Sequence, residues 1–99
     1  MTVDFTAAAE ADLEAIADYI ARDNPVRALS FVRELVERCL SLAEMPEAFP
    51  VVSRYQHHGI RRRVHGRYLI VYRAQGDRIT ILHILNGAMD VEALLFPDG

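Results

Sequence analysis

The run from Arg67 to Ala74, R-Y-L-I-V-Y-R-A, leaves a chain of 99 residues little freedom in its fold. Tyr68 to Tyr72 is an unbroken apolar run, aromatic and β-branched except for Leu69, with no charge in it, which is a strand signal. Alternation sends Tyr68, Ile70 and Tyr72 to one side and Leu69 and Val71 to the other. Both sides need cover, so this strand belongs inside a sheet with partners at either edge. Ile60–Val64 supplies one neighbour, through a turn at Gly66. Arg78–Leu85 supplies the other, through the hairpin turn Gln75-Gly76-Asp77, and Asn86-Gly87 closes it.

The layer that covers the sheet comes earlier in the chain. Val3–Phe5 alternates briefly, as a short strand does. Thr6 is placed to cap a helix over Ala7–Arg22, in which Ala9, Leu13, Ile16, Ala17 and Ile20 form a narrow apolar face. Glu10, Glu14, Asp18 and Arg22 form an i,i+4 ladder on the other side. Asn24-Pro25 then ends one helix and opens a second, Pro25–Ala43, because proline suits the first helical position. The apolar arc of this second helix is wide. Phe31, Leu35, Cys39 and Leu42 mark one edge, and Leu29, Val36 and Leu40 the other. Either the helix packs on both a partner helix and the sheet, or the second edge stays open for another chain. The order of elements predicts a single α+β domain over 1–99: a short strand, a helical hairpin on one sheet face, and a three-strand antiparallel meander.

Composition removes several classes of function. With 52% hydrophobic and 25% charged residues the chain reads as globular, and a net charge of −3 makes it no general polyanion binder. Any nucleic-acid contact has to come from a local patch. Asp4, Glu10 and Asp12 break any leader-like apolar run, and no stretch approaches a membrane span, so a cytoplasmic protein is expected. Cys39 stands alone and reads as a small buried hydrophobe. His57-His58 has no acidic or cysteine neighbour to complete a metal site, and neither metal nor cofactor is expected.

The chemistry concentrates at Gly59–Arg73. Alternation places Arg61, Arg63 and His65 on one face of the first meander strand, with Ile60, Arg62 and Val64 on the other. Arg67 lies across the turn, and Arg73 and Arg78 flank the next. Guanidinium groups grip phosphate or carboxylate in a bidentate manner, so this is either an anion-binding surface or a solvated sheet face. Metal-free RNA cleavage needs a base and an acid, and the sheet offers only His65, His83, Tyr68 and Tyr72. His83 shares an alternating face with Ile79, Ile81 and Leu85 and reads as a core residue. No carboxylate pair, phosphate loop or serine elbow occurs, so the residues favour binding over catalysis.

Several stretches together carry a resemblance. They are Phe5…Ala9…Asp12-Leu13…Ile16…Tyr19-Ile20, then Asn24-Pro25…Ala28…Phe31, then Pro46, then Gly59-x-Arg61, then Gly66-Arg67-Tyr68-Leu69-Ile70-x-Tyr72-Arg73, and finally Ile79-x-Ile81. From Val3 to about Leu95 the chain resembles the ParE branch of the RelE/ParE toxin superfamily. The resemblance implies the toxin of a type II toxin–antitoxin pair, folded as a helical hairpin against an antiparallel sheet. ParE-like toxins stall DNA gyrase on cut DNA, whereas RelE-like relatives cut messenger RNA in the ribosomal A site. The implied partner is a cognate antitoxin with a ribbon-helix-helix-like, operator-binding N-terminal part and a C-terminal segment that wraps the toxin. Operator DNA is then met only through the antitoxin.

On that reading Arg61, Arg63, Arg67 and Arg73 are the candidate target contacts, with Tyr68 and Tyr72 in supporting or core roles. Leu29, Val36 and Leu40 are the candidate antitoxin seat. Where the family carries a His-Gly-Ala-Arg-like segment, this chain has Asn86-Gly87-Ala88-Met89, and Met89–Gly99 adds neither a basic residue nor a tyrosine. That points away from ribosome-dependent RNA cleavage, which stays the alternative beside a non-toxic partner kept in a repressor complex.

Overall fold

The computed structural model describes residues 1–52 and 59–87. Strand β1 (Thr2–Phe5) leads into helices α1 (Ala7–Ala21) and α2 (Pro25–Ser41), and a 3-10 turn follows at Leu42–Glu44. Strands β2 (Ile60–His65), β3 (Tyr68–Gln75) and β4 (Arg78–Asn86) complete the order. Arg54, His57-His58 and the apolar segment Asp90–Phe96 lie outside the described residues.

Both helices start where their caps predict. The Thr6 hydroxyl accepts from the Ala9 amide at 3.0 Å and donates to the Leu82 carbonyl at 2.9 Å, so one side chain caps α1 and pins it to β4. Asn24 Oδ1 accepts from the Arg27 amide at 3.0 Å, with Pro25 opening α2. The periodicity predicts a longer α2; instead its last turn tightens into the 3-10 form, with the Met45 amide bonded to the Leu42 carbonyl.

The sheet order is β1-β4-β3-β2. The last three strands form the expected antiparallel meander. Strand β1 adds to the outside of β4 in parallel, Val3 opposite Ile79 and Phe5 opposite Ile81, so the sheet is mixed. Tyr68, Ile70, Tyr72, Ile79, Ile81 and Ile84 meet Ala9 and Ile16 of α1 and Leu35 and Cys39 of α2 in one core. A smaller cluster on the opposite face joins Val52, Ile60, Val71 and Leu85. β3 thus buries both faces, as its sequence requires.

Regular alternation fails in β4. Val71 pairs with His83 but Tyr72 pairs with Ile81, so Leu82 has no partner on β3. After this bulge Ile84, not Leu85, joins Ile79 and Ile81 beneath the helices, and Leu85 moves to the opposite cluster. The Asp12 carboxylate of α1 accepts from the Ile84 amide at 2.9 Å and pairs with His83 Nδ1 at 3.0 Å. With Thr6 on the Leu82 carbonyl, α1 satisfies the backbone groups that the bulge takes from the ladder.

Candidate functional site

The β2–β3 hairpin projects from the sheet on the two-residue turn Gly66-Arg67, bracketed by the His65–Tyr68 pair. Gly66 stands first in the turn at φ +61°, where a side chain would be strained. Gly87 packs directly against the turn. Its amide donates to the Arg67 carbonyl at 2.7 Å, and a Cβ there would come within 3.1 Å of that oxygen.

At the root of the hairpin the arginines turn inward. Arg61 Nη1 donates to the Phe49 carbonyl at 2.7 Å and the Glu47 carbonyl at 3.3 Å. Arg63 Nη1 donates to the Arg38 carbonyl at 3.0 Å and to Ser41 Oγ at 2.8 Å, at the end of α2. There it satisfies an acceptor left over by the helix and places positive charge at the negative end of its dipole. Its guanidinium also lies 4.6 Å from the centre of the Phe49 ring. Burial, then repulsion from Arg38, pulls Arg63 below the ordinary arginine pKa.

Tyr72 is fully buried, and its hydroxyl donates to the Pro46 carbonyl at 2.9 Å. Burial raises its pKa against the pull of the Arg61 and Arg63 charges. Together these three side chains hold the segment after α2 against the sheet. The same segment continues along the free edge of β2, with Val51 bridging Arg61 and the Arg62 amide bonded to the Pro50 carbonyl.

The tip differs. Arg67 is exposed and makes no side-chain hydrogen bond or ion pair with the described residues. It lies between two open depressions. One, of about 560 Å³, is lined by Val64, Gly66, Arg67, Tyr68, Leu69, Asn86 and Gly87. The other, of about 330 Å³, lies on the helix side between Tyr19, Ile20, Arg27, Phe31 and the same turn. The Phe31 ring sits 5.6 Å from both Tyr68 and His65, and Arg27 covers it at 5.0 Å. Arg27 is tied to Glu34, and that hydrogen bond is the main reason the Glu34 pKa falls below its ordinary value. His65 Nε2 lies 3.5 Å from the other Glu34 oxygen. Tyr19 and the Arg27–Phe31–Glu34 cluster escape sequence reasoning because they reach the hairpin tip only once the helices are folded over the sheet.

Arg73 is half-buried on the face opposite the helices, and its Nε is enclosed without a hydrogen-bond partner among the described residues. Arg62 is exposed. Cys39 is fully buried, and burial pushes its thiol up to about 12, far from a reactive thiolate. Both histidines of the sheet meet carboxylates of the helices, His65 on Glu34 and His83 on Asp12, so His83 is half-buried and hydrogen-bonded beside the bulge and is not the core residue its alternation predicts. Among the described residues no three metal-ligating side chains converge.

The outer surface of α2 carries Leu29 and Leu40, 62% and 50% exposed, with Val36 half-buried between them. Val26, at 79% the most exposed large apolar residue described, extends the same surface one turn toward the start of α2. Its spacing of three from Leu29 was the available signal. The edge of the apolar arc that sequence left ambiguous therefore faces solvent in the isolated chain. Among the described residues no helix is long and apolar enough to cross a membrane.

Comparison with known proteins agrees with this geometry. A structure titled "Chromosomal ParDE TA system from P. aeruginosa" contains a chain that is 29% identical and superposes with a TM-score of 0.74. The match covers 87% of this chain and 95% of that one. No curated protein sequence matches significantly. Residues 3–91 match the family described as the ParE toxin of the type II toxin-antitoxin system, parDE. With the helical hairpin, the mixed sheet and the Gly-Arg-Tyr strand in place, the chain belongs to the ParE toxin family.

Proposed function

We propose that the chain, when free of its antitoxin, poisons DNA gyrase in the cytoplasm by binding rather than by chemistry, with Arg67 as its leading contact. The observation that carries this reading is the division within the hairpin. Arg61 and Arg63 donate to backbone carbonyls and Ser41, whereas Arg67 stands exposed on the turn between two depressions, with no side-chain partner among the described residues. An exposed guanidinium on a fixed turn suits an acidic or phosphate-bearing surface. Arg73 and the inner arginines support the site from behind, and Tyr68 shapes its floor.

A ParE toxin of a parDE system has a cognate antitoxin as partner. Its seat, on this reading, is the outer face of α2 around Leu29, Val36 and Leu40, where a segment that folds on binding lays down an apolar helix face. The antitoxin's ribbon-helix-helix-like part then carries the operator contacts.

Purified chain added in parallel to a gyrase supercoiling reaction and to a cell-free translation reaction tests the target. Blocked supercoiling with trapped cleaved DNA is expected. Codon-dependent cuts in translated message would instead identify a ribosome-dependent ribonuclease. Inactivity in both, with operator binding by the toxin–antitoxin complex intact, would identify a non-toxic repressor partner.

A further inference from the structure

The face of the sheet opposite the helices carries a pattern of charge of its own. Ile60 and Val71 belong to the cluster on that face, so alternation places Arg62 of β2 and Arg73 of β3 beside them. Arg78 and Thr80 of β4 lie there too, since Ile79 and Ile81 face the helices. The register sets the three arginines on one diagonal. Arg62 pairs with Val71, two residues before Arg73, and Arg78 pairs with Gln75, two residues after it. Each step crosses one strand and advances two residues, so neighbouring Cα atoms stand about 8 Å apart and the stripe spans about 17 Å.

The fold makes little use of these side chains. Arg62 is exposed and makes no side-chain hydrogen bond or ion pair with the described residues. Arg73 is half-buried, and its enclosed Nε has no partner among them. The Arg78 side chain is 68% exposed and meets Asp4 at 3.4 Å, at one end of the stripe. Asp4 is the only carboxylate that the described strands place on this face, and exposed Asp77 stands in the turn next to Arg78. Neither lies beside Arg62 or Arg73, whose like charges on diagonal positions repel each other.

Charge is also divided between the layers. Residues 59–87 hold six arginines against Asp77 alone, whereas residues 1–52 hold four arginines against ten carboxylates. The helices lie about 10 Å behind the sheet, on the order of the screening length at physiological ionic strength. The outer face is therefore locally positive in a chain of net charge −3.

The composition of the face selects its occupant. Three guanidinium groups at even steps match a polyanion with regularly repeated charge, and arginine is the cation suited to phosphate. The described strands place no aromatic side chain on this face, so it offers unpaired bases no stacking platform. What remains is the backbone of a duplex, contacted without reading its sequence.

We propose that the outer face of the sheet binds the phosphate backbone of double-stranded DNA through Arg62, Arg73 and Arg78. The proposal goes beyond the gyrase reading and does not depend on it, since the contact needs neither gyrase nor Arg67.

The test is fluorescence anisotropy of a labelled duplex of arbitrary sequence, titrated with the purified chain between about 50 and about 200 mM NaCl. For the native chain, Kd should rise with salt at a logarithmic slope of about 3, one counterion per arginine. Arg62→Gln, Arg73→Gln and Arg78→Gln should each weaken binding about threefold at low salt and lower the slope by about one, and the triple change about thirtyfold. Arg33→Gln, exposed on α2, should bind like the native chain. Matched melting curves show that each variant is folded, and Arg62→Gln alone, at an exposed position, decides the matter if the triple variant is not. No duplex binding by the native chain at the lowest salt, or native affinity in the triple variant, would overturn the proposal. So would loss of binding in Arg67→Gln with the triple variant unaffected, which would move the phosphate contact to the hairpin tip. Tighter binding of the matching single strand, or of polyglutamate, would assign the face to unpaired nucleic acid or to an acidic protein instead.

Discussion

The root and the tip of the β2–β3 hairpin are built from the same residue types and do opposite things. At the root, Arg61, Arg63 and Tyr72 reach back to the Phe49, Arg38 and Pro46 carbonyls and fasten the segment after α2. At the tip, Arg67 follows a glycine turn into solvent, with Tyr68 and Phe31 forming an aromatic floor beside it. Composition cannot separate these arginines, since each sits in a strand or turn of similar charge. What separates them is whether an unsatisfied carbonyl lies within reach. The end of α2 and the loop after it provide such acceptors for the root, and nothing described does so for Arg67.

The comparison is broken most severely at Tyr72. Its replacement by alanine removes a fully buried ring and should cost about 3–5 kcal/mol in urea unfolding. Tyr72→Phe keeps the ring but strips the Pro46 carbonyl of its donor, for about 1 kcal/mol. A Tyr72→Phe protein as stable as the native one would mean that the phenol does not hold the loop.

Arg63→Met should follow at about 1–2 kcal/mol, because it removes two charge-assisted hydrogen bonds at the end of α2 while keeping much of the stem's packing. Unchanged stability, together with lost activity, would move Arg63 from the root's role to the tip's. Arg67→Glu, by contrast, should shift stability by no more than about 0.5 kcal/mol.

The smallest effect near neutral pH belongs to Cys39. Its thiol rises from an ordinary 9.0 to about 12 through burial, so above pH 9 the unfolded chain has lost a proton that the folded chain keeps. Unfolding then becomes more favourable as pH rises, by roughly 1 kcal/mol per unit until the folded pKa is reached. Tyr72, also raised, adds a loss of the same sign at higher pH. Under reducing conditions, unfolding curves from pH 8 to 11 should show this decline, and Cys39→Ala should flatten its first part. An equal slope in both proteins would show that the thiol is not shielded as the structure has it.

Much of the fold was legible because its determinants are local. Thr6 and Asn24-Pro25 start the helices through contacts three residues away, and β3 declares itself by apolarity on both faces. The β4 bulge was not legible, since Asp12 and Thr6, some seventy residues earlier in the chain, satisfy its backbone. The parallel addition of β1 to β4 was likewise unspecified, as a strand of four residues carries too little pattern to choose an edge. Alternation correctly grouped Arg61, Arg63 and His65 on one face, but not what that face would meet. The carbonyls at the end of α2 come to Arg63 only through tertiary packing, across 25 residues for Arg38. The open edge of α2 was half legible, as an arc too wide for one core.

The most direct measurement of the central claim is gyrase supercoiling in the presence of the antitoxin-free native chain and of its Arg67→Glu form, both shown to be equally stable. The account predicts that the native chain blocks supercoiling and traps cleaved DNA, and that Arg67→Glu loses at least tenfold in potency. Equal potency of the two forms, or a native chain that leaves gyrase untouched, would contradict it.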